Sequence, residues 1–143
     1  MVRRPDYTHL IFTGGSKMNV SRNFLLVAVV YLLIGMVIGG YMGASDDHSL
    51  TPVHAHLNLL GFTLMALFAA IYKVFPSMAQ AALARYHFWL HQAGTLVMMV
   101  MLYLLTKNMV AVGAAVGIVM TLTEAAVIIG IVLFGLNALR HAR

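Results

Sequence analysis

The sequence contains no cysteine. Disulfide bonds, thiolate metal sites and prosthetic groups attached through thioether bonds are therefore excluded. Charged residues are also scarce, since they make up 9% of the 143 residues while 62% are hydrophobic. A soluble domain of this length needs a far more polar surface, so the solvent around most of this chain is lipid.

Long apolar runs are what the sequence has instead. Four of them reach the roughly 20 residues that a helix needs to cross a bilayer, and they predict helices over residues 24–44, 54–75, 87–105 and 109–139. The connections are short, which makes consecutive helices antiparallel neighbours. We therefore predict an all-α fold, a four-transmembrane-helix bundle over residues 24–143, preceded by a basic tail, residues 1–23.

The basic residues fall almost entirely at one set of helix ends. Only Lys107 lies at the other set, together with Asp46 and Asp47. The remaining eight are Arg3, Arg4, Lys17, Arg22, Lys73, Arg85, Arg140 and Arg143. By the positive-inside rule this distribution predicts a multi-pass protein of a bacterial-type cytoplasmic membrane with both termini cytoplasmic. The net charge of +5 then describes a rim that faces the lipid bilayer, and no nucleic acid is needed as a partner.

Ionisable groups inside the spans are few, and each is a functional candidate because such groups are costly in lipid. The clearest are His54 and His56, at the start of the second helix. Residues two apart on a helix point about 200° apart, so these imidazoles should face opposite sides and cannot grip one small ion together. A neutral imidazole is, however, the usual axial ligand of haem iron. The alternative is a pair of hydrated interfacial histidines.

His87 and His91 are four apart, so they share one helix face at a spacing that suits a metal pair. No third ligand is expected at the same depth, and we therefore favour one interfacial histidine and one hydrogen-bonded packing histidine. Glu124 falls near the middle of the fourth helix. A buried carboxyl there would be protonated or paired, and it would either relay protons or hydrogen-bond a neighbouring helix.

Two short motifs resemble a known family. Val-His-Ala-His at residues 53–56, followed by Gly-Phe at 61–62 and by residues 72–76, resembles the tenth helix of the haem-copper oxidase catalytic subunit. The next helix opens with His-Phe-Trp-Leu at residues 87–90, which is similar to the start of the eleventh helix. C-type (cbb-type) cytochrome oxidases and nitric-oxide reductases look closest. The resemblance extends over the last four helices of that twelve-helix subunit.

The resemblance implies a site. In that family the first and third residues of the His-x-His pair bind two different haems, which here implies haem b held by His54 and His56. An arginine pair after the eleventh helix binds the haem propionates, and Lys107 with Asn108 occupies that position. The histidines and cross-linking tyrosine that hold copper in the family belong to helices this chain lacks, so we do not expect a complete terminal oxidase.

The family's subunit consists of three arcs of four helices around three pores. A chain that resembles one arc is expected to rebuild that shape as a homotrimer, with His54 of one protomer and His56 of the next in each pore. The expected function is electron transfer or haem-based redox or gas sensing, with a respiratory-chain redox partner. Two alternatives are a small proton-coupled transporter that uses Glu124 and a haem-free assembly partner of a respiratory complex.

Overall fold

The computed structural model describes residues 18–143, so residues 1–17 of the predicted tail lie outside the described part. Within that part the chain is helical, without strands, and four helices are long and apolar enough to cross a membrane. In chain order the helices are α1 (Val20–Ser45), α2 (His48–Val74), the short α3 (Pro76–Gln80), α4 (Ala82–Thr106) and α5 (Ala114–His141). The predicted all-helical fold with four membrane-length helices is confirmed, and the bilayer is the natural surrounding of their apolar surfaces.

The long helices pack as two antiparallel hairpins, α1 with α2 and α4 with α5. The Ser21 hydroxyl donates a hydrogen bond to the Ala69 carbonyl at 2.8 Å, which brings the start of α1 to the end of α2. The Ser77 hydroxyl of α3 donates to the His141 carbonyl at the end of α5. We call this end of the bundle the basic end, because the basic residues at the helix termini here are Arg22, Lys73, Arg85, Arg140 and Arg143.

Side-chain caps move two helix starts ahead of the predicted positions. The Asn19 side chain accepts the Arg22 amide at 2.9 Å, and α1 begins at Val20 rather than at residue 24. The Asp47 side chain accepts the Ser49 amide at 2.9 Å, and α2 begins at His48 rather than at residue 54. In both places a short polar side chain satisfies an amide of the first turn, which apolar-run length does not reveal.

Two prolines lie at helix starts. Pro52 lies in the first turn of the α-helical part of α2, where its missing amide hydrogen is not needed. The long helix stops at Val74, and Pro76 opens α3. Between them, Leu57–Thr63 forms a π-helical segment. Such segments shift carbonyl groups away from their usual amide partners and are frequent at functional sites.

The predicted start of the last helix at residue 109 is wrong, because α5 begins at Ala114. Asn108 has a left-handed backbone with φ of 54°, and Gly113 is extended with φ of −168°. The apolar residues between them therefore belong to a loop. Their composition continues the hydrophobic run of α5, but the backbone at both ends of the segment does not allow a helix.

Candidate functional site

His54 lies in the first α-helical turn of α2 and is half-buried against α1. Its Nδ1 lies 2.9 Å from the Gly35 carbonyl oxygen, which accepts the ring N–H. Glycine on α1 makes room for the ring, since a Cβ on Gly39 would lie 2.8 Å from His54 Cε1. The Asn58 amide nitrogen lies 3.3 Å from His54 Nε2, so this second ring nitrogen is also in contact with a polar group.

His56, two residues on, faces a different side of α2 and is exposed. Its Nδ1 lies 2.8 Å from the Pro52 carbonyl oxygen, one turn earlier in the same helix. The prediction that the two imidazoles serve opposite faces is therefore confirmed: one ring packs on α1, and the other points away from it.

The His56 ring lines a groove of about 390 Å³ between α2, α4 and α5, which we call the His56 groove. Its other walls include Leu60, Met98, Met120 and Glu124. Most of this lining is aliphatic or thioether. The groove is partly open to the outside of the bundle, so it offers an apolar slot with one imidazole and one carboxyl group.

Glu124 is exposed on the outer surface of α5. Among residues 18–143 it has no hydrogen-bond or ion-pair partner within the chain. The expectation of a buried carboxyl, protonated or paired, is wrong as to burial, because α5 contacts the rest of the bundle through another face, which carries Thr123, Val127 and Gly130. A carboxyl near the middle of a membrane-length helix is costly unless another surface covers it.

Lys107 and Asn108 lie at the opposite end of the bundle from the basic end. The Lys107 ammonium donates to Asp47 Oδ2 at 3.1 Å and to the Ser49 hydroxyl at 3.0 Å, which ties the α4–α5 loop to the α1–α2 loop. Hydrogen bonds from Ser49, together with Lys107, lower the pKa of Asp47 to about 2, and the Asp47 carboxylate raises the pKa of Lys107. Asn108 is exposed beside this pair.

His87 and His91 form a second histidine pair, and neither has any exposed surface. His87 Nδ1 lies 2.9 Å from the Tyr72 hydroxyl, and His91 Nε2 lies 3.4 Å from the Leu60 carbonyl in the π-helical segment. The expectation of one interfacial histidine is wrong, because α4 turns this face into the bundle. The expectation of a hydrogen-bonded packing histidine is confirmed.

Aromatic rings surround the buried pair. The Phe68 ring centroid lies 4.4 Å from that of His87 and 5.3 Å from that of His91, and Phe24 lies 5.0 Å from His87. Phe134 of α5 closes the cluster at 5.3 Å from His87. We call these rings with Tyr72 the aromatic core, and all four long helices contribute to it or pack against it.

Four polar atoms in and beside the aromatic core are buried without a hydrogen-bond partner in the described chain. They are His87 Nε2, His91 Nδ1, Gln92 Oε1 and Thr95 Oγ1. The histidines and the threonine lie four residues apart along α4, so one polar stripe follows one face of the helix. This spacing was visible in the sequence, but Thr95 was not connected to the histidines.

Within residues 18–143 no group of three or more histidine, aspartate or glutamate side chains could hold a bare metal ion. The two histidine pairs lie at different levels of the bundle. His54 and His56 lie near the end that holds Lys107, and His87 and His91 lie towards the basic end. Each pair offers imidazole nitrogens only.

No protein-family model matches the sequence. No curated protein and no solved structure matches it either. The fold and the groove described above are accordingly interpreted from their own geometry.

Proposed function

We propose that the chain is a membrane haem b protein in which His54 and His56 are axial ligands, serving electron transfer or haem-based redox or gas sensing. The observation that carries the proposal is the bonding of the two rings. Each has its Nδ1 at a backbone carbonyl, at 2.9 Å for His54 and 2.8 Å for His56. Donation from Nδ1 selects the tautomer whose Nε2 keeps a lone pair, as metal-binding histidines usually do. At His54 this lone pair faces the Asn58 amide at 3.3 Å, so binding iron there would displace that contact.

The residues fit a haem better than a bare ion. The porphyrin brings four nitrogen ligands, so one or two imidazoles complete the iron. The His56 groove supplies an apolar wall with Met98, Met120 and Leu60 next to the imidazole. A bound haem would supply reversible one-electron chemistry, while the chain supplies the ligand nitrogen and an apolar wall beside it. The motifs that resemble the haem-copper oxidases support the same assignment.

A homotrimer is the second part of the proposal. One helix cannot aim both rings at one iron, because His54 packs on α1 while His56 lines the groove on the other side. The groove is open, and Glu124 beside it is exposed at membrane depth, where an uncovered carboxyl is costly. A neighbouring protomer that brings its own His54 to this groove would cover both, and threefold rotation closes the ring.

The charges at the two ends of the bundle support an orientation in the membrane. The basic end would face the cytoplasm by the positive-inside rule, which puts both termini there. Lys107 and Asn108 would lie near the haem propionates on the outer side. Lys107 already binds the carboxylate of Asp47 at 3.1 Å, so a propionate would replace one carboxylate by another.

A reduced-minus-oxidised absorption spectrum of protein purified from haem-replete cells tests the proposal. We expect Soret and alpha bands of haem b, and we expect acid-acetone to extract the pigment completely because the chain has no cysteine. A colourless preparation would contradict the assignment.

Variants then test the ligands. His56→Ala should lose haem or leave it exposed, whereas His48→Ala should retain it, because His48 is an exposed histidine on the same helix that faces the Asp46 carbonyl instead of the groove. Native mass spectrometry should show a trimer. Equal haem loss in both variants, or a monomer with six-coordinate haem, would overturn the ligand assignment.

One observation favours a second candidate function, a small proton-coupled transporter. His56 and Glu124 line the same groove, so an ionisable base and an ionisable acid share one apolar slot. In that case the purified protein would be colourless, and Glu124→Gln would abolish proton-driven uptake in proteoliposomes. Retained haem in Glu124→Gln, without any transport by the parent protein, would remove this candidate.

A further inference from the structure

The unpartnered polar atoms of α4 lie where the bundle is otherwise apolar. His87, His91 and Thr95 have no exposed surface, and His87 Nε2, His91 Nδ1 and Thr95 Oγ1 have no partner in the described chain. Buried polar atoms are nearly always paired, and internal water is the usual partner where the chain offers none. Three such atoms in a row therefore point to water between them.

The three side chains form a continuous stripe. They are spaced by four residues on one helix face, and eight residues of α-helix rise about 12 Å. The stripe thus extends over a large part of one leaflet of a hydrocarbon core that is roughly 30 Å thick. Beyond Thr95, the next residue on the same face is Met99, which is buried and apolar. The stripe therefore starts near the basic end and stops inside the bundle.

At the basic end, the stripe approaches the surface of the bundle through Tyr72. The Tyr72 hydroxyl lies 2.9 Å from His87 Nδ1. Tyr72 also lines a cavity of about 280 Å³ at the basic end, together with Asn19, Ser21 and Gln80. Tyr72 therefore lies between this cavity and the buried ring of His87.

We propose that Tyr72, His87, His91 and Thr95, with water between them, form a proton-conducting half-channel that enters the bundle from its basic end. An imidazole takes up a proton at one nitrogen and releases one from the other, so each step forms one N–H bond and breaks another. The hydroxyls of Tyr72 and Thr95 act as donor and acceptor in the same way. No oxidant or reductant is required: a proton that enters rests on an imidazole and leaves by the same route, or passes to a group that occupies the His56 groove.

The half-channel passes beside the His56 groove at His91. His91 Nε2 is 3.4 Å from the Leu60 carbonyl, and the Leu60 side chain lines the groove. Protons from the basic end would reach the neighbourhood of His56 and Glu124, whichever group occupies the groove. The proposal does not depend on haem, and it fails or holds independently of it.

Hydrogen–deuterium exchange of the imidazoles tests the half-channel. The full chain is labelled with ¹⁵N-histidine, reconstituted in lipid bilayers and transferred to D₂O, and solid-state NMR follows the ring N–H signals of His87 and His91. We expect both signals to exchange within minutes. Ring N–H signals that persist for a day would show a dry core and overturn the proposal.

A conservative variant tests the route. Tyr72→Phe keeps the ring in the aromatic core but removes the hydroxyl between the cavity and His87, so exchange at His91 should slow about tenfold. Tyr31→Phe is the matched control, because it removes another buried tyrosine hydroxyl, the one 3.2 Å from the Gln92 amide, which lies off the route. Exchange that is unchanged or faster in Tyr72→Phe, or equally slow in Tyr31→Phe, would show entry by local opening instead of through Tyr72.

Discussion

The two histidine pairs of this bundle differ in what surrounds them. His54 and His56 are partly exposed and bond to backbone carbonyls, whereas His87 and His91 have no exposed surface and lie among aromatic rings. The difference follows from the spacing, because residues two apart lie on opposite faces of a helix whereas residues four apart share one face. The first pair is therefore partly accessible to a large ligand, whereas His87 and His91 contact only residues of their own bundle.

The comparison also separates two uses of an imidazole inside a membrane. Where the backbone occupies Nδ1 and the other side is open, as at His56, the ring is ready to act as a ligand. Where a hydroxyl occupies one nitrogen and the other is enclosed, as at His87, the ring serves packing and proton exchange. The predictions below test whether the two pairs differ in this way.

The largest expected effect is on stability. His87→Ala removes a fully buried ring that contacts Phe24, Phe68 and Phe134, and we expect a loss of about 2–4 kcal/mol in the free energy of unfolding. His56→Ala should cost within about 0.5 kcal/mol, as exposed substitutions usually do. Thermal unfolding in detergent, followed by circular dichroism on haem-free samples, measures both. Equal losses would show that His87 is not part of the core.

A smaller effect should appear on the face that holds His54. Gly39→Ala places a Cβ 2.8 Å from His54 Cε1, so the ring or α1 must shift, and we expect a loss of about 1–3 kcal/mol. Gly43→Ala, one turn further along the same helix, meets nothing within 4 Å and should be neutral or stabilising. The same unfolding measurement compares them. If both variants behave alike, His54 does not pack tightly on α1.

The four membrane helices were predictable because long apolar runs have a single explanation in a chain of this composition. Their ends were not, since they depend on individual side chains. Asp47 caps α2 through the Ser49 amide, and the left-handed backbone of Asn108 keeps the following apolar residues out of α5. Neither effect changes the hydropathy of the run.

The orientation of the candidate side chains around the helices was predictable, but their burial was not. The opposite orientation of His54 and His56 follows from helix geometry and is confirmed. The burial of His87 and the exposure of Glu124 were not foreseen, because a helix that is apolar on every side carries no amphipathic signal to show which face turns inward. Their depth is set by helix packing in three dimensions.

The smallest effect concerns the ion pair near the first histidine pair. Lys107 joins the loops of both hairpins through Asp47 at 3.1 Å, and the pair is partly exposed, so its contribution to stability is small and falls with added salt. Lys107→Gln and Asp47→Asn should each lower the unfolding temperature slightly at neutral pH. The double variant should lose less than the sum of the two single losses, because the interaction that Lys107 and Asp47 share is removed only once.

The pH dependence of stability tests the same ion pair more closely. The Ser49 amide and hydroxyl, and after them Lys107, lower the pKa of Asp47 from 3.8 to about 2. A lowered pKa stabilises the fold above the unfolded value and ceases to do so as the pH falls through the folded value. The deficit of Lys107→Gln relative to the parent protein should therefore be constant above pH 4 and shrink from about pH 4 to pH 2. Because Ser49 contributes more than Lys107, the Asp47 carboxyl should still titrate below 3.8 in Lys107→Gln when followed by NMR. A deficit that persists unchanged down to pH 2 would mean that Lys107 acts by packing its side chain between the loops, without need of the carboxylate.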